Sequence, residues 1–107
     1  MILARGDVWA VLPDAARIRD ARSARPFVVL SPPELLGALP TVIAAPLAVE
    51  GRPAPFRVAL RYQGMPAVVV LDQLRTIDKS RLLHRAGKLS PATLKGTLAT
   101  LARYFAP

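Results

Sequence analysis

Five short apolar runs limit what this chain can fold into. They lie at residues 7–12, 27–30, 42–45, 56–60 and 67–71, are rich in Val, Ile and aromatic residues, and are punctuated by Pro, Gly and Asp. Runs of this length with β-branched content read as strands rather than short buried helices. Their spacing predicts five or six strands in an antiparallel meander or small barrel, not βαβ units. Eleven prolines mark edges and turns.

One helix stands out near the end of the chain. Ser90 suits an N-cap and Pro91 the first helical position, and Leu94, Leu98, Leu101 and Phe105 recur at helical spacing. Gly96 weakens that helix by about 1 kcal/mol relative to Ala, which points to a close approach of another backbone. A shorter turn at 33–37 links the second and third strands. Between the first two strands runs a loop at 13–25 carrying Arg17, Arg19, Arg22 and Arg25. A connection of that length and charge is expected to serve function.

The 107 residues suit a single domain, 1–107, and a hydrophobic fraction of 52% is high for so small a monomer, so a homodimer is expected. No apolar stretch is long enough for a membrane span, and Arg5 and Asp7 interrupt the start of the chain, so a cytoplasmic location is expected. Zero cysteines exclude thiolate chemistry. One histidine and seven scattered acids do not suggest a metal site, so no cofactor is expected. The net charge of +8 is uneven. No acid follows Asp78, whereas Lys79, Arg81, Arg85, Lys88, Lys95 and Arg103 do. That asymmetry suits a polyanion or an acidic partner, or simply a soluble surface.

Arg5-Gly6-Asp7-Val8-Trp9, Arg25-Pro26, Val28-Val29-Leu30-Ser31, Ala45-Pro46-Leu47 and Asp72-Gln73-Leu74-Arg75-Thr76-Ile77-Asp78-Lys79-Ser80-Arg81-Leu82, in that order, resemble the MazF/PemK family of bacterial toxin–antitoxin toxins. Gly87-Lys88-Leu89-Ser90 and the final helix extend the likeness over almost the whole chain. The resemblance implies a β-rich (α+β) fold, a small, partly open antiparallel β-barrel of SH3-like type with a C-terminal helix. It also implies a homodimeric endoribonuclease that cuts single-stranded RNA without metal, leaving 2′,3′-cyclic phosphate and 5′-hydroxyl ends, and an acidic antitoxin as partner.

Attack by a ribose 2′-hydroxyl needs a proton acceptor, donors for the charge on phosphorus, and a proton for the leaving 5′-oxygen. The family motif places Arg25 at this chemistry. A guanidinium fork offers paired donors to phosphate oxygens, and its high pKa makes charge stabilisation its role rather than proton transfer. Asp20 matches the place of a family glutamate, where it would orient Arg25 or touch substrate; the plainer reading is a surface acid pairing with Arg17 or Arg22.

Position 48 departs from the family. Pro, an apolar residue and Thr read here as Pro46-Leu47-Ala48, so the expected catalytic hydroxyl is missing. Losing one donor from such a site typically costs about 10²- to 10³-fold in rate. Either another hydroxyl, Ser31, Thr41 or Thr76, takes over, or the threonine has been replaced to disarm a toxic protein. The intact remainder of the pattern favours the second.

The other expectations concern binding. Arg22, Ser31, Gln73 and Thr76 are candidates with Asp20 for contact with RNA, Gln73 and Thr76 by reading base edges. Thr76 and Asp78 could instead cap the turn at Lys79, the preferred reading for Asp78. Trp9 is expected in the core rather than stacked on a base, His84 as a satisfied structural residue, and Asp7 as a strand-edge acid pairing with Arg5 or Arg75. The late cations would guide phosphates or receive the antitoxin's acidic segment. A different function on the same fold, binding a protein target such as DNA gyrase without catalysis, is associated with a Trp-Gly-Ile tail. Tyr104-Phe105-Ala106-Pro107 does not resemble it.

Overall fold

The computed structural model describes residues 1–13 and 20–107. The expectations for Arg17 and Arg19 fall outside these residues. Among the described residues the chain forms seven strands: β1 (Asp7–Val11), β2 (Arg25–Val29), β3 (Thr41–Val49), β4 (Arg57–Tyr62), β5 (Met65–Val70), β6 (Arg75–Asp78) and β7 (Leu82–Lys88). All pairings are antiparallel, in the order β4-β5-β3-β2-β1-β7, with β6 also paired to β3. The result is a curved, unclosed sheet with one long helix, α2 (Pro91–Tyr104), at the C-terminus. A single helical turn, α1 (Pro33–Leu36), follows β2.

The five apolar runs all fall in strands or at their edges. They lack alternation because the central strands are covered on both faces. Val8, Val28, Ala45, Leu47, Val69 and Leu71 point into one core, which α2 closes with Leu94, Leu98 and Leu101. Trp9, Val11, Phe27, Val29, Ala44 and Ile77 point into a second core, closed by Leu36 of α1. Edge strand β4 does alternate, laying Val58, Leu60 and Tyr62 on the first core. Seven strands form where five or six were expected: β6 and β7 lie outside the five apolar runs and are rich in charged residues, which hides their period.

Ser90 caps α2 as expected, its hydroxyl accepting the Thr93 N–H at 3.1 Å. Two expectations for this helix are corrected. Phe105 lies past the last turn and is 67% exposed, stacking edge-on with Tyr104 instead of continuing the leucine stripe. Gly96 faces open space, with nothing within 4 Å of a Cβ placed on it. The glycine that packs against this helix is Gly6, whose φ of 93° favours glycine and whose added Cβ would stand 3.0 Å from the Leu94 side chain.

Asp7 is also corrected. It is 2% exposed, accepts the Ala4 N–H at 2.9 Å and the Trp9 indole N–H at 3.4 Å, and lies 3.8 Å from Arg85, not from Arg5 or Arg75. Arg5 donates to the Leu30 carbonyl instead. Trp9 is core, at 7% exposure. His84, expected to be a satisfied structural residue, is exposed on edge strand β7, with its Nδ1 3.4 Å from the Arg85 carbonyl.

Candidate functional site

The sheet register brings distant parts of the sequence together. Phe27 of β2 pairs with Pro46 of β3 at the last rung between these strands, and Arg25 and Ala48 each lie two residues beyond it. Here β3 leaves β2 and turns to pair with β5, Ala48 facing Val68. The parting strands open a groove of about 480 Å³ lined by Arg25, Pro26, Phe27, Pro46, Leu47, Ala48, Val49, Gln73 and Arg75.

Among the described residues, three polar side chains line this groove. Arg25, exposed at the start of β2, donates through Nη1 to the Ala24 carbonyl at 3.1 Å and the Arg22 carbonyl at 3.4 Å. Gln73 arrives from the 3-10 turn at Leu71–Gln73, before β6. Arg75 opens β6, with its Cζ 5.3 Å from the centre of the Phe27 ring, in cation–π range. Its Nε and Nη2 donate to the backbone and side-chain oxygens of Gln73 at 3.3 and 3.4 Å. Among the described residues the lining contains no carboxylate, histidine or lysine. Two guanidinium groups over an apolar floor suit an anion joined to flat, apolar groups, and they offer charge stabilisation rather than a general base.

Of the residues the sequence singled out, Arg25, Ala48 and Gln73 line the groove, and the others do not. Asp20 and Arg22 pair with each other at 3.1 and 3.2 Å beside it, and Asp20 also accepts the Arg22 N–H. Those Arg22 bonds hold the Asp20 carboxyl below the usual carboxylate range. No hydrogen bond or ion pair joins Asp20 to Arg25. Ser31 is buried, its hydroxyl accepting the Ile43 N–H at 2.7 Å. Thr41 stands at the other end of β3, seven residues from Ala48, which is about 23 Å along a strand. Thr76 alternates with Arg75 and buried Ile77, so its side chain points to the opposite face. Asp78 takes its capping role, accepting the Ser80 N–H at 3.0 Å, a bond that lowers its carboxyl pKa.

Arg75 is the groove residue that sequence reasoning missed, having weighed it only as a partner for Asp7. The available signal was a cation two residues beyond Gln73, already placed beside the groove. Among the described residues no three His, Cys, Asp or Glu side chains gather into a metal-binding set, and no helix is long and apolar enough to cross a membrane.

A family model described as PemK-like, MazF-like toxin of type II toxin-antitoxin system matches residues 4–105. The chain belongs to this toxin family. Its fold matches an endoribonuclease solved with its cognate antitoxin from a Mycobacterial species (23% identity, TM-score 0.78, covering 95% of this chain and 93% of that one). A MazE–MazF complex from Deinococcus radiodurans matches at 22% identity and TM-score 0.79, over 99% and 97% of the two chains. Another Mycobacterial endoribonuclease matches at 25% identity and TM-score 0.73, over 92% and 86%. The two matches below 25% establish the shared fold, and the family model establishes membership.

Proposed function

We propose that this MazF/PemK-family chain is an endoribonuclease acting on single-stranded RNA in the cytosol, as a homodimer held in check by an acidic antitoxin. The observation that carries this reading is that Arg25 and position 48 line one groove in which the described residues contribute no acid. In the reaction, a ribose 2′-oxygen forms a bond to phosphorus while the bond to the 5′-oxygen breaks. The proton lost from the 2′-hydroxyl is balanced by one gained at the 5′-oxygen, leaving a 2′,3′-cyclic phosphate and a 5′-hydroxyl. Arg25 supports the charge that builds on the phosphate oxygens, where its paired N–H donors match two oxygens at once. Gln73 offers an amide to a base edge.

Ala48 sets the rate. Its methyl group provides no donor where the family pattern has a hydroxyl, and Ser31, Thr41 and Thr76 all lie outside the groove. Ala48→Thr is therefore expected to raise cleavage of a long RNA by about 10²- to 10³-fold. The assay follows fragments with 5′-hydroxyl ends and includes EDTA, which should leave the rate unchanged. If the threonine variant cuts no faster than the parent chain, position 48 is not part of the chemistry.

A further inference from the structure

Arg75 is positioned beyond what packing requires. Its guanidinium lies over Phe27 and is tied to Gln73 by two donors, yet it remains exposed and lines the same groove as Arg25. No carboxylate is within ion-pair distance of it among the described residues, in contrast to Arg57, whose fork is filled by Asp72 at 3.0 and 3.1 Å. A guanidinium stacked on a ring has one face covered and its edge left for hydrogen bonding. Gln73 uses Nε and Nη2 of that edge, which leaves Nη1 free to donate to a ligand.

Resting on the RNA-cleaving reading above, we infer that Arg75 is a second phosphate-binding residue, so that the groove grips the RNA backbone at two phosphates: Arg25 at the reacting one and Arg75 at a neighbour. Phe27 and Gln73 act as positioning residues, holding the guanidinium in place before RNA arrives. The groove at Ala48 lacks a hydroxyl to anchor the reacting phosphate, and the second cation supplies anchoring energy from one nucleotide away. Registering the strand through a non-reacting phosphate favours the correct attack geometry without touching the reacting atoms.

The test uses binding, which does not depend on whether the chain cuts. The probe is a short, labelled, single-stranded RNA of mixed sequence, 2′-O-methylated so that it cannot be cleaved, titrated with the full chain over a range of salt concentrations. Each phosphate contact to a single strand contributes about 0.7 to the slope of log affinity against log salt. Arg75→Gln, which keeps an unbranched stem over Phe27, should lower that slope by about 0.7, as should Arg25→Gln. Arg75→Lys should keep the slope but bind more weakly, because lysine retains the charge and loses the planar stack.

Circular dichroism melts establish that each variant is folded when measured. If the slope survives in Arg75→Gln while falling in Arg25→Gln, Arg75 only props up Phe27 or reads a base, and the two-phosphate grip is overturned. If the parent chain shows no salt-dependent affinity for the probe, the RNA-cleaving reading falls first and this inference with it.

Discussion

Strands β1 and β2 carry one charged residue at each end of the sheet, and the two are treated in opposite ways. Asp7 is 3% exposed in its side chain and is fully engaged, with the Ala4 N–H, the Trp9 indole and Arg85 around it. Arg25, four registers away across the β1–β2 pair, is exposed and, among the described residues, bonds only to carbonyls of its own neighbours. A buried carboxylate must be partnered to be tolerated, so Asp7 is explained by the fold. Nothing in the fold requires a guanidinium at Arg25. A charge that the structure does not need, at the mouth of a groove to which the described residues add no acid, is available to a ligand.

The largest expected effect breaks this comparison at Arg25. In the Ala48→Thr background, Arg25→Ala should lower RNA cleavage by at least about 10²- to 10³-fold, the usual loss for a donor to developing charge. Arg25→Lys should recover little of it, since a point charge does not reproduce the fork. Denaturant unfolding of both variants should match the parent within about 0.5 kcal/mol, as for other exposed substitutions. A matching loss of stability would make Arg25 a structural residue like Asp7.

Asp7→Ala asks the opposite question. It removes the acceptor of the buried Trp9 indole N–H and of the part-buried Ala4 N–H, which should destabilise the fold by roughly 1–3 kcal/mol. Urea unfolding followed by Trp9 fluorescence measures this directly, because Trp9 is the only tryptophan. Below the new unfolding midpoint, cleavage per folded molecule should be unchanged. A folded but inactive Asp7→Ala protein would mean that the two ends of the sheet share one function.

The contrast also explains what could be read from the sequence. The covered strands and the α2 cap were legible because burial and capping leave local patterns, such as β-branched runs or Ser90-Pro91 before a leucine stripe. Arg25 and position 48 were legible only through resemblance, since it is the fold that brings residues 23 positions apart to one groove. The Arg75 stack on Phe27 was invisible for the same reason: it joins β6 to β2 through β3. Ser31 and Thr76 were plausible by residue type. A buried hydrogen bond to Ile43 removes the first, and strand alternation removes the second, neither of which a hydroxyl announces in sequence.

The smallest expected effect lies at the groove's rim, where a charge is exposed like Arg25 but partnered like Asp7. Asp20 closes a two-bond pair with Arg22 and caps the 3-10 turn Ala21–Ser23 through the Arg22 N–H. Asp20→Asn keeps the cap and removes the charge. Because hydrogen bonds from Arg22 depress the Asp20 carboxyl in the folded chain, any stability it adds is fully present above the unfolded carboxylate pKa and is lost as pH falls through the lower folded value. From weakly acidic to neutral pH the pair is therefore constant, and an exposed pair is worth little to begin with. Cleavage by Asp20→Asn should stay within about fivefold of its parent, with no change in the shape of the rate–pH curve over that range. A larger fall would show that Asp20 reaches the substrate or sets the carbonyl of Arg22 on which the Arg25 side chain rests, and would move the boundary between structure and chemistry from Arg25 into the turn before it.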